Sequence, residues 1–172
     1  MLGEDLHSPV PTLPWETAAE AAERIGVHLW RRHSRIFGHA GEPAPAVLLG
    51  ETDRPDTLGI YIPEARAILL RPDALTLHLL VHETCHALVG QPHDADFAGG
   101  MAYMISRVWP SLDRRELVKR AQAMGVQINP AMPWDRWGSR RLPSASAHPE
   151  RPAASHSASS VSESTERPQR GC

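Results

Sequence analysis

The sequence predicts an α+β protein, and three observations support that class. Four stretches have the composition or the three- and four-residue apolar spacing of helices. Three short apolar pieces with β-branched or aromatic residues lie between the first two of these stretches, and turn residues separate them. From Ser139 onward, Ser, Ala, Pro and Arg dominate and large apolar residues almost disappear. We therefore expect a small sheet packed against helices, followed by a polar tail.

The first helix is predicted over residues 14–37, after a flexible leader at residues 1–13. Its alanines and glutamates favour helix, and Pro14 is tolerated in a first turn. An apolar stripe with helical spacing runs through Ala18, Ala22, Ile25 and Leu29. Three strands are predicted next, at residues 47–50, 58–63 and 67–70. Their short lengths and intervening turns predict a small antiparallel sheet.

The second helix is predicted over residues 74–89, with Asp73 as its cap. Gly90 fits the position just beyond a helix end, and Pro92 prevents continuation. A third helix is expected at residues 94–109. A fourth, mostly polar helix is expected at residues 111–125.

These elements predict one domain over residues 14–138 and a disordered tail over residues 139–172. The tail lacks the apolar side chains that would offset its ordering entropy. The net charge of −2 gives no general attraction to nucleic acid or to an anionic membrane. Neither a signal peptide nor an apolar run of about 20 residues is recognisable. With two cysteines, these features predict a cytoplasmic location and no membrane partner.

The stretch "VHETCHALVGQPHDADF" carries the strongest functional signal. In a helix, His82 and His86 lie on one face at a separation suited to one metal ion, and neutral imidazole is a good zinc ligand. Glu83 is placed to touch a water beside the metal without binding the metal. Chance would produce this pattern about 0.04 times in a chain of this composition. Its apolar surroundings also favour a real site, because buried polar groups need partners.

A third ligand is expected from outside this helix. His93 is the leading candidate, because the glycine at position 90 lets the chain reverse and bring His93 back to the metal. The competing ligands are Asp94, Asp96 and Glu116. Glu116 would suit a site with two histidines and a glutamate, but its neighbours are typical of a solvated helix face.

The residues "HETCHALVGQPHDADF" resemble the small single-domain zincin metallopeptidases of the SprT-like kind, and most closely short metallopeptidases of bacteria and phages. The residues that match the family's pattern are His82, Glu83, His86, His93, Asp94 and Phe97. The likeness covers roughly residues 46–107. It implies a zincin-like fold in which a hairpin precedes the active-site helix in the chain. The link to the third histidine is one residue longer than in metzincins, and the CxxC pairs of a SprT-type zinc ribbon are absent from the sequence.

The resemblance implies a zinc-dependent metallopeptidase, a hydrolase in which Zn²⁺ activates water and Glu83 is the general base. Tyr61 and Tyr103 are candidate donors to the oxyanion. Asp94 or Asp96 could orient a ligand imidazole, and helix capping is an equally good explanation for either. The expected partner is a peptide or protein substrate, added as a strand to "GIYI" or "AILL" at a sheet edge.

Two alternatives compete with the peptidase hypothesis. The first is a zinc-binding regulatory protein without catalysis, against which the intact Glu83 argues. The second is a nucleic-acid-associated protein, because "PWDRWGSRR" interleaves Trp134 and Trp137 with arginines that could meet bases and phosphates. Packing of these tryptophans on the domain is the simpler explanation.

Overall fold

The computed structural model describes residues 8–133 and confirms the α+β class, with four helices and one three-stranded sheet. A single 3₁₀ turn at Pro72–Ala74 precedes the second helix. The elements in chain order are α1 (Ala18–His33), β1 (Ala46–Leu49), β2 (Gly59–Ile62), β3 (Ala67–Leu70), α2 (Leu77–Val89), α3 (Ala95–Val108) and α4 (Arg114–Ala123). The predicted disordered tail and the first seven residues of the predicted leader lie outside the described residues.

The sheet is mixed, so the prediction of a purely antiparallel sheet was wrong. Strand order is β1-β3-β2, with β2 antiparallel and β1 parallel to β3. A tight turn ending at Arg66 closes the β2–β3 hairpin, and this leaves the other side of β3 for β1. The chain crosses from one edge to the other over residues 50–58. Four-residue apolar strands carry no signal for partner direction, so the sequence could not determine this pairing.

Strand β3 is central and is paired on both sides, which excludes "AILL" as an edge for an added peptide. Strand β2, "GIYI", is an edge strand and packs against α2. The remaining candidate for peptide addition therefore lies beside the helix that carries the histidines.

The core forms where one face of the sheet meets α1 and α2. Ile68 and Leu70 of β3 are almost fully buried, as are Trp30 of α1 and Leu80 of α2. Helix α2 also packs against α3 and is buried along most of its length. The histidine-bearing helix therefore packs against the sheet, α1 and α3. Within residues 8–133, no helix is both long enough and apolar enough to cross a membrane.

The beginnings of α1 and α2 differ from the sequence expectation. Thr17 caps α1 through a reciprocal capping box with Glu20, and Thr76 rather than Asp73 caps α2. The second half of the predicted leader is packed against the domain. Pro9 pairs with Thr76, and Val10 is only 5 % exposed.

Candidate metal centre

Helix α2 presents the first two histidines from one face. His82 and His86 are one helical turn apart, and their ring centroids lie 4.8 Å from each other. Burial is the largest cause that lowers the pKa of His82, to about 4, and it also lowers the pKa of His86. Both imidazoles are therefore held in the neutral form that binds metal ions.

The segment after α2 returns a third histidine to the same point. Gly90 ends the helix with φ of 133°, a backbone conformation that favours glycine, and the chain reverses. The Nε2 atom of His93 then lies 3.1 Å from that of His82 and 3.2 Å from that of His86. The His82 and His86 Nε2 atoms are also 3.2 Å apart. These three residues form a group able to hold a metal ion.

The spacing of the three nitrogens fits a tetrahedral metal. Nitrogen ligands at about 2.05 Å from a tetrahedral zinc lie roughly 3.3 Å apart, close to the separations in this triangle. Three imidazoles that converge this closely cannot all donate hydrogen bonds to one another. The donor set and its geometry therefore fit Zn²⁺.

A backbone carbonyl fixes the orientation of His86. The Nδ1 atom of His86 donates a hydrogen bond to the carbonyl oxygen of Gly90, at 3.0 Å. Nδ1 thus carries the proton, and Nε2 presents its lone pair to the other two histidines. The same glycine that reverses the chain also selects the ligating nitrogen of His86.

The ring of Phe97 in α3 contacts all three histidine rings. Its ring stacks on His86 at a centroid distance of 4.3 Å. It also meets His82 and His93 edge-on, at 5.1 and 4.7 Å. One buried side chain therefore limits the movement of all three rings.

Glu83 is next to the first histidine and is only 4 % exposed. Burial raises its pKa to about 7, and a hydrogen bond with the backbone N–H of Tyr61 partly opposes that rise. Gly59 of β2 leaves room for the carboxylate: a Cβ there would lie 3.2 Å from Glu83 Oε1 and 2.8 Å from Leu70 Cδ2. The carboxyl group is thus buried between α2 and the edge strand.

The other candidate site residues have different positions. Asp94 caps α3, because its Oδ1 accepts from the Phe97 N–H at 2.9 Å, and Asp96 accepts from the Asn129 amide at 2.9 Å. Tyr103 is 2 % exposed, with its ring against His33 and Phe37. Asp94 is thus a helix cap, Asp96 bonds to Asn129, and Tyr103 is a buried packing residue.

Tyr61 contributes through its backbone, since its carbonyl oxygen accepts from Gln91 Nε2 at 2.8 Å. Glu116 lies on α4 and forms an exposed ion pair with Arg120 at 2.9 Å. Cys85 is fully buried, and its thiol is 3.9 Å from the Phe97 carbonyl oxygen. His78 lies one turn before His82, with 6.4 Å between ring centroids.

Sequence reasoning missed three contributors to this site: the Gly90 carbonyl, the Gln91 side chain and Gly59. Only Gly59 had a recognisable signal, because a glycine inside an apolar strand indicates close approach of another group. The other two act through contacts that the chain reversal creates. The nucleic-acid hypothesis falls on Trp134 and Trp137, which lie outside the described residues.

Comparisons with protein-family models, with curated proteins and with solved structures give no match for this chain. The functional interpretation therefore depends on the geometry of the metal centre.

Proposed function

We propose that this protein is a zinc-dependent metallopeptidase in which His82, His86 and His93 hold the metal and Glu83 is the general base. The observation that carries the proposal is the triangle of Nε2 atoms at 3.1–3.2 Å, with a buried glutamate on the same helix. A purely structural zinc site needs no base and usually has four protein ligands. Three histidines and an adjacent carboxylate match a site that keeps one position for a reactant.

Zinc in such a site supplies Lewis acidity, which polarises a carbonyl group and lowers the pKa of a water ligand. Glu83 takes the proton from the attacking water and delivers it to the leaving amine. Burial raises the pKa of Glu83 to about 7 in the absence of metal, and the positive charge of a zinc ion on the neighbouring histidines would lower it, so that the carboxylate is ionised when it accepts the proton. The Tyr61 N–H helps to keep the carboxylate in place between these steps.

The edge strand supports a peptide as the substrate. Strand β2 is an edge strand that packs against α2, so a peptide added to its outer side would lie beside the helix that carries the histidines. To bind there, the peptide would have to replace the Gln91 amide on the Tyr61 carbonyl oxygen. Extended peptides bind such edges through main-chain hydrogen bonds. Substrates with N-methylated backbone amides should therefore be cleaved more slowly than their unmodified parents, whatever their side chains.

The decisive experiment combines zinc content with cleavage of unstructured proteins by the purified full chain. The wild type should hold about one zinc per chain and cleave substrate. His93→Ala should lose both properties. Glu83→Gln should keep zinc and lose at least about 100-fold in rate, because it removes the proton acceptor. Glu116→Gln is the matched control and should change neither, since Glu116 is an exposed residue of α4.

Two results would contradict the proposal. Equal cleavage by wild type and Glu83→Gln would indicate a contaminating protease. Zinc binding without cleavage of any substrate would favour the non-catalytic zinc protein. Salt-dependent DNA binding that requires residues 133–172 would then favour the nucleic-acid-associated alternative.

A further inference from the structure

A second group of basic side chains surrounds a cavity of about 200 Å³ that is separate from the metal centre. The cavity lies between α1, the C-terminal end of α3 and the N-terminal segment. Its polar lining consists of His28, Arg32, His33 and Arg107, and none of the described lining residues is acidic. Apolar side chains, including Leu29 and Val108, form the remaining wall.

His33 is the unusual member of this group. It is 1 % exposed, and neither ring nitrogen has a hydrogen-bond partner within residues 8–133. Its ring packs edge-on against Tyr103, at 5.5 Å between centroids. Buried polar side chains are normally paired, so an imidazole with two unsatisfied nitrogens at a cavity wall indicates a missing partner.

Helix dipoles explain only part of the cluster. Arg32 and Arg107 lie in the last turns of α1 and α3, where positive charge is favourable. That effect does not account for His33, whose ring nitrogens contact no carbonyl group of residues 8–133. None of the ion pairs within residues 8–133 involves Arg32 or Arg107.

We propose that this cavity binds a small organic anion, with its carboxylate or phosphate head against Arg32 and Arg107 and its short apolar chain against Leu29 and Val108. Both ring nitrogens of His33 are buried in this structure, so His33 would donate a hydrogen bond to the same head group only after its ring turns towards the cavity. Guanidinium groups match the oxygens of both kinds of head, and the hydrogen bonds are charge-assisted. The volume is below that of sites for drug-sized ligands, which limits the ligand to a few heavy atoms beyond its head.

The electrostatics of the cavity support proton uptake on binding. Burial, then the positive charges of Arg32 and Arg107, then His28, lower the pKa of His33 to about 4. An anion next to the ring would oppose these causes and favour the protonated imidazole. Binding at pH 5–6 should therefore be accompanied by proton uptake.

Isothermal titration calorimetry of the zinc-loaded full chain tests the proposal with hexanoate, acetate, butyl phosphate and inorganic phosphate as probes. Each probe with an apolar chain should bind at least about tenfold tighter than its counterpart without one, because the apolar wall buries methylene groups. A preference for hexanoate or for butyl phosphate would identify the head group. With hexanoate at pH 6, where the probe itself is almost fully ionised, the heat should differ between buffers of different ionisation enthalpy because His33 takes up a proton.

Variants make the test specific to this cavity. Arg32→Gln and Arg107→Gln should each weaken binding at least about tenfold. Arg31→Gln should not, since Arg31 is the exposed neighbour and does not line the cavity. His33→Phe should abolish the dependence of the binding heat on the buffer. If the His33→Phe protein does not fold, the two arginine variants still test whether the probes bind in this cavity. Failure of every probe to bind at about 10 mM, or equal weakening by Arg31→Gln, would overturn the proposal.

Discussion

At the residue scale, the position of the Glu83 carboxylate depends on the absence of a side chain at Gly59. A Cβ at residue 59 would approach Leu70 Cδ2 to 2.8 Å and the Glu83 Cγ atom to 3.1 Å. We expect Gly59→Ala to keep zinc, to lose roughly 1–3 kcal/mol of unfolding free energy and to lose at least about tenfold in hydrolysis rate, because it displaces the carboxylate. Zinc analysis, urea unfolding and a cleavage assay measure these effects.

Gly50→Ala is the control for that substitution. Among residues 8–133, a Cβ at residue 50 would meet only Leu69 Cδ1 within 4 Å, at 3.2 Å, and this methyl group ends a flexible side chain. The control should keep the wild-type rate. A Gly59→Ala protein with unchanged hydrolysis would contradict the close approach of Glu83 to the edge strand.

Phe97 provides a second prediction at this scale. Phe97→Leu should weaken zinc binding about tenfold, because the three imidazoles lose the flat ring that limits their movement. Phe37→Leu is a matched core substitution, since Phe37 is also buried but packs against Tyr103. Both variants should lose roughly 1–3 kcal/mol of unfolding free energy in the absence of metal. Equal zinc affinities in competition titrations with a chelator would show that Phe97 is only a packing residue.

At the element scale, the link between α2 and α3 determines whether a third ligand reaches the other two. Gln91 ties this link to the edge strand through the Tyr61 carbonyl. We expect Gln91→Ala to weaken zinc binding about 10- to 100-fold with little change in stability, because Gln91 is exposed and orients His93 only indirectly. Gln122→Ala, an exposed change on α4, should leave zinc affinity unaltered. Loss of metal affinity in both variants would argue against a role for the link.

At the scale of the whole molecule, buried His33 makes stability depend on pH. Its pKa is about 4 in the folded protein and about 6.5 when unfolded, so the unfolded chain binds more protons between these values. The native state should lose about 2–3 kcal/mol of unfolding free energy through this group as pH falls from 7 to 4.5. His33→Leu should show a smaller loss than wild type in urea unfolding of the metal-free proteins. Equal losses would mean that His33 does not remain neutral in the fold.

The three candidate metal ligands could be predicted from the sequence because their geometry is largely local. A spacing of four residues places His82 and His86 on one helix face whatever surrounds the helix. Gly90 and Pro92 end that helix in any context, so a reversal towards His93 could be expected. The α+β class likewise follows from apolar periodicities that each segment carries by itself.

Other features depend on contacts between distant segments, and only the tertiary structure determined them. The parallel pairing of β1 with β3 depends on how the chain between β1 and β2 crosses the sheet, and short apolar strands do not encode that path. The approach of Gly59 to Glu83 and the Gln91 bond to the edge strand arise between elements. The same holds for the nitrogens of His33, which find no partner within residues 8–133. Local sequence determined which residues could bind a metal, and packing determined the environment that gives Glu83 and His33 their chemistry.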